Sequence, residues 1–228
     1  MLQIVFTRTA LGNSKVNIMV DKESRRKPTQ ERSKKRVDAI LNAAKSLIAE
    51  KGSAQLKIHE IAERAGVTPA SIYQYFPSKN AITLALAQNT FDSNFSSLSE
   101  SLPSMTTKED SCKVLQGIIE EYYQAYLNDP AMMDIWVSVS ADKSMDSLDL
   151  EDSRRHAALI CDCIKHFYDQ KFWGEISRIS FLLSHMSGSV VRMAISVGED
   201  EGRTLVNSFK KLINPASIDS MLFSEVDG

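Results

Sequence analysis

The chain has 228 residues, 43% hydrophobic and 25% charged, with a formal net charge of −2. This is long enough for one large domain or two small ones with a substantial core, which excludes a disordered or fibrous chain. No apolar run is long enough to span a membrane, and the three cysteines, Cys112, Cys161 and Cys163, are an odd number without a disulfide framework, pointing to a cytoplasmic, reducing setting.

The small net charge hides two regions of opposite sign. Residues 1–80 carry 15 Lys/Arg against 7 Asp/Glu, a net +8, so the remaining 148 residues carry a net −10. A basic N-terminal region suits a polyanion, and an acidic remainder belongs away from it. The apolar run from Met1 to Phe6 is too short for a signal-peptide core and lacks a small-residue cleavage pattern. Met19, just before the basic segment, reads as the more natural translation start. Basic residues are densest at 22–36, among them Arg32 and Lys35. With Pro28 arguing against one continuous helix, residues 1–32 read as a disordered extension and basic arm that reaches phosphates or a minor groove. The alternative is a merely solvated tail.

Val37, Ile40, Leu41, Ala44, Leu47 and Ile48 recur at helical spacing up to Gly52. Ile58, Ile61, Ala62 and Ala65 form one face of a second helix that ends at Gly66, where a glycine can take positive φ. Thr68 is placed to cap a third helix, with Pro69 at its first position. Ile72 and Phe76 point inward. The outer face then holds Thr68, Pro69, Ala70, Ser71, Tyr73, Gln74 and Tyr75, with no acidic group, a surface able to enter a DNA major groove. Ser78 is a plausible N-cap for the next helix. Lys79 in its first turn reads either as a phosphate contact or as an ordinary solvated lysine. Lys57, at the start of the motif spanning 57–76, joins the candidate DNA contacts.

The Ala65-Gly66-Val67-Thr68 turn, Ile72 to Phe76 and Pro77-Ser78-Lys79 together resemble the N-terminal domain of the tetracycline-repressor (TetR) family of bacterial transcription regulators. The resemblance covers about residues 33–92. It implies an all-α homodimer, with a three-helix helix-turn-helix DNA-binding domain (33–98) and a C-terminal helical ligand-binding and dimerisation domain (108–213). It also implies repression of a pseudo-palindromic operator, relieved by a small-molecule effector.

The polar stretch from Ser99 to Thr107 reads as the hinge between domains. Helices are expected at about 108–127, 130–143, 148–170, 174–197 and 201–213, with 214–228 a partly ordered tail. By composition, the stripe of Leu115, Ile118, Ile119, Tyr122, Tyr123 and Tyr126 is core. Through the family resemblance, a pocket between the middle helices would be walled by Tyr122, Tyr126, Met133, Trp136 and Phe167 over Phe91 or Phe95, suiting an apolar or aromatic effector. From Ile176 to Val197 apolar surface runs nearly all round the helix. That demands a second partner, and a dimer interface through Phe181, Met186, Gly188, Val191, Leu205 and Phe209 competes with a central monomer helix.

No enzyme, cofactor or metal signature is present. Cys161 and Cys163 are about 200° apart on a helix and cannot face one ion. Only Cys163 and His166 share a face, and two ligands are too few. The competing functional classes are a ligand-independent or weakly specific DNA-binding protein and a partner-binding module.

Overall fold

The computed structural model describes the backbone of residues 23–140 and 143–223. Every regular element among these is helical: α1 (Glu23–Lys51), α2 (Ile58–Ala65), α3 (Pro69–Tyr73), α4 (Lys79–Ser101), α5 (Lys108–Asn128), α6 (Pro130–Val139), α7 (Lys143–Ile164), α8 (Trp173–Ser196), α9 (Glu199–Leu212) and α10 (Pro215–Phe223). Short 3-10 turns at Ser53–Gln55, Leu102–Ser104, Lys165–Phe167 and Gln170–Phe172 join some of them. Among the described residues, those up to Asp38 belong to one compact unit and those from Ala39 onward to another. The expected translation start at Met19 lies outside the described residues.

Several expected boundaries are met by side-chain chemistry. Gly66 takes φ 65°, and Val67 N–H returns to the Ala62 carbonyl at 2.9 Å. Thr68 Oγ1 accepts from Ser71 N at 3.2 Å with Pro69 at the first helical position, and Ser78 Oγ accepts from Ala81 N at 3.1 Å. Each cap satisfies a backbone donor that the first helical turn leaves orphaned. Thr107 and Asp129 cap α5 and α6 in the same way.

Two expectations are corrected and a third is made specific. Pro28 does not interrupt the chain: α1 starts at Glu23 and runs through it. A proline as the sixth residue of a helix forfeits one backbone bond and crowds the carbonyl four residues back, here that of Ser24, a local cost that the long helix behind it outweighs. The Ser99–Thr107 segment is no polar hinge, since α4 continues to Ser101 and both Leu98 and Met105 are buried. The expected partly ordered tail is helical over residues 215–223, and 224–228 lie outside the described residues. Asn214 Oδ1 accepts from Ser217 N at 2.9 Å, and α10 packs Ile218 and Leu222 into the core against α5 and α8.

Ile40, Ala44, Ile48, Ile61, Ile72, Phe76, Ile82 and Leu86 are buried and supply the interior of the helix-turn-helix region. In the C-terminal part, α5 packs on α8 and α9, and α7 lies along α8. Gly202 on α9 makes the α8–α9 contact possible. A Cβ there would stand 2.2 Å from the Ala194 carbonyl oxygen and 3.0 Å from the Tyr123 hydroxyl.

Candidate nucleic-acid interface and ligand cavity

Lys57, Thr68, Pro69, Ala70, Tyr73 and Gln74 are exposed, Tyr73 to 55%, whereas Ser71 and Tyr75 are half-buried. The charged residues beneath this face are tied together. Arg64 donates to Glu50 Oε2 at 2.8 Å and to Ser46 Oγ at 3.0 Å, and Lys51 pairs with Glu60. These bonds hold α2 on α1 and hold the Glu50 and Glu60 carboxyls below their ordinary range. Glu60, which has no assigned role in the sequence, is therefore a structural partner. Lys79 is half-buried and directs Nζ at the Ser53 and Ala54 carbonyls, 3.4 Å from each. Arg32 and Lys35, in the N-terminal unit, are exposed on α1.

A second site lies among α4, α5, α7 and α8, a cavity of about 230 Å³. Leu98, Leu115, Ile118, Ile119, Ile160 and Leu183 give it an apolar wall. Glu121, Asp149, Asp152, His156, His185 and Arg192 also line it. Arg192 spans its edge, with the guanidinium 3.8 Å above the Trp136 ring centroid and 3.9 Å from Asp149. Asp152 accepts from Arg155 at 3.2 Å and lies 3.3 Å from His156 Nδ1. Burial opposes a charge on His156, but the hydrogen bond and charge of Asp152 outweigh it and raise the imidazole above its ordinary pKa. Burial raises the Tyr122 and Tyr126 phenols, whose oxygens stand 3.4 Å apart.

Of the residues expected in the pocket, Phe91 and Tyr122 line this cavity. The other five lie outside its lining. Tyr126 is buried beside Tyr122, and Trp136 stands behind Arg192. Met133 and Phe167 pack against the core. Phe95 meets His156 edge-on, with Arg155 over its face. Apolar composition had no means of separating a wall from the layer behind it. The charged lining was missed because its residues stand far apart in sequence and meet only when α5, α7 and α8 assemble.

The α6 helix reaches both sites. Asp134 accepts from Ser53 N at 2.7 Å and from Ser53 Oγ at 2.6 Å, and Asp129 pairs with Lys45. On the cavity side, Trp136 carries Arg192 and meets Phe91 edge-on at 6.4 Å. The carboxylate–Ser53 contacts are charge-assisted and short, so this joint is a firm one.

Of the residues expected at a dimer interface, Val191 and Phe209 are buried inside the chain's own core. Gly188 lines the cavity, Phe181 lies under Arg154, Leu205 is half-buried, and Met186 is exposed. Leu182, Met186 and Met193 on α8, with Val197 just past its end, form one exposed apolar stripe at helical spacing, with Leu212 exposed on α9. An apolar pattern nearly all round a helix does not say which side the chain covers for itself.

Residues 40–86 match the bacterial regulatory proteins of the tetR family, and residues 109–216 match the tetracyclin repressor-like C-terminal domain. The chain belongs to the TetR family. It is 31% identical over 96 residues to the HTH-type transcriptional regulator EthR of Mycolicibacterium smegmatis, covering 41% of this chain and 42% of that protein. It is 34% identical over 86 residues to the uncharacterized HTH-type transcriptional regulator YvdT of Bacillus subtilis, covering 38% and 43%. The chain thus spans less than half the length of these curated relatives. A TetR transcriptional regulator from Rhodococcus sp. RHA1 shares the fold at TM-score 0.56 and 20% identity, over 85% of this chain and 99% of that one. No helix among the described residues is long and apolar enough to cross a membrane.

Proposed function

We propose that this TetR-family chain is a cytoplasmic homodimeric transcription regulator that binds a pseudo-palindromic operator and is released from it by a small molecule. The observation that carries this reading is the single helix, α6, bonded to the helix-turn-helix region through Asp134 and touching the cavity-lining Arg192 through Trp136. Thr68, Pro69, Ala70, Tyr73 and Gln74 are the DNA-facing set, supported by Lys57, with Ser71 and Tyr75 beneath them. Arg32 and Lys35 add phosphate contacts. Lys79 contributes charge beside the operator while clamping the Ser53 turn.

The stripe of Leu182, Met186, Met193 and Val197 with Leu212 pairs with its copy in a second chain. Two recognition helices are thereby held about 34 to 36 Å apart, one turn of DNA. A ligand that moves Arg192 shifts α6 and hence the Ser53 turn. The operator affinity then falls by a coupling free energy of about 1 to 3 kcal/mol.

The test is selection of genomic fragments by the purified protein at two salt concentrations. One palindrome with half-sites a helical turn apart, weakened by Tyr73→Ala, supports the reading. Sequence-independent binding that vanishes with salt favours the weakly specific alternative.

A further inference from the structure

We infer that the cavity accepts a small organic cation with an apolar body. This rests on the regulator reading for its biological role, but the chemistry comes from the cavity itself. Its lining holds three carboxylates, Glu121, Asp149 and Asp152, against one guanidinium, Arg192, and two imidazoles, His156 and His185. Asp152 is already matched by Arg155 and His156, and Asp149 by Arg192, which also lies on Trp136, and by His185 at 3.7 Å. Glu121 has no ion pair among the described residues. An acidic ligand would therefore meet uncompensated negative charge. A neutral one would cover the Glu121 carboxylate without offsetting its lost hydration.

A cation supplies the missing charge, and the aliphatic wall takes its apolar part. An independent observation also points to a ligand. The Ser184 hydroxyl oxygen is buried in this lining with no hydrogen-bond partner, and a buried polar atom left so calls for one. The volume, about 230 Å³, lies below the range of drug-sized sites and limits the occupant to a compact molecule.

The test uses the full chain and three ligands on one scaffold, phenylbutylamine, phenylbutanol and phenylbutanoate, titrated by calorimetry near neutral pH. The amine is expected to bind about tenfold tighter than the other two, an advantage that Glu121→Gln reduces by weakening the amine and not the alcohol. Glu121 is exposed, so the substitution leaves folding intact, which circular dichroism checks. Equal or tighter binding of the alcohol or the acid, or no binding by any of the three, overturns the inference. Operator release is read separately. An amine that binds through Glu121 yet leaves DNA binding unchanged defeats the regulatory reading and not the cavity assignment, while release by the acid or the alcohol does the reverse.

Discussion

Replacing Gly202 with alanine sets two effects of opposite sign against each other. Position 202 is inside α9, where alanine is favoured over glycine by about 1 kcal/mol of intrinsic helix propensity. The added methyl, however, would lie 2.2 Å from the Ala194 carbonyl oxygen and 2.8 Å from its carbon, both backbone atoms of α8. No rotamer change relieves such a clash, so α9 must move off α8, and overpacking of this kind costs about 1 to 3 kcal/mol or more. With two helix backbones in direct conflict the upper end applies, leaving a net loss of about 2 kcal/mol. For a chain of this size that lowers the melting temperature by about 4 to 8 °C. Gly117, on the exposed face of α5, is the control, because a Cβ there meets nothing within 4 Å and Gly117→Ala should show the propensity gain alone. The assay is thermal and urea unfolding followed by circular dichroism at fixed protein concentration, since the proposed dimer would make stability concentration-dependent. A Gly202→Ala protein as stable as Gly117→Ala would refute the close α8–α9 contact.

Asp134→Ala should cost about 2 to 3 kcal/mol by stranding the Ser53 N–H and hydroxyl, and should weaken operator binding with the cavity intact; unchanged stability would discount the joint. Burial would raise the Glu120 carboxyl, but hydrogen bonds from Gln124, Lys210 and Arg203 prevail and bring it from 4.5 to about 2. A depressed carboxyl stabilises the fold above its unfolded pKa and ceases to as pH falls through the folded value. The stability gap between wild type and Glu120→Gln, at most about 3 kcal/mol before solvent screening, should therefore be full near neutral pH. It should close as pH drops from 4.5 toward about 2, and a gap independent of pH would contradict the assignment. Burial pushes the Cys112 thiol up to about 11 and also raises Cys161 and Cys163, so iodoacetamide should label the native chain more slowly than a free thiol. Labelling of the native and urea-unfolded chains at equal rates would be the contrary result.

Local chemistry made the helix-turn-helix region readable. Gly66, Thr68, Pro69 and Ser78 act through neighbours within a few residues, so sequence spacing alone carries their roles. The all-α class followed from periodicity in the same way. The cavity was legible only through Phe91 and Tyr122. Glu121, Asp152, Ser184 and Arg192 acquire a shared meaning only when three separate helices meet. The α10 helix escaped notice because its burial rests on two residues, Ile218 and Leu222, in a short segment with little periodic signal. Val191 and Phe209 were read as intermolecular because an apolar count cannot tell a chain's own neighbour from a second copy.

The paired bonds from Asp134 to Ser53, with Asp129 on Lys45, bear on building hybrid regulators. Splicing this N-terminal reader onto an unrelated sensor at the end of α4 would leave the Ser53 N–H, its hydroxyl and the Lys45 ammonium facing a foreign surface. A transplant that retains its response must carry a carboxylate in register with each, which makes α6, though distant in sequence, part of the portable unit.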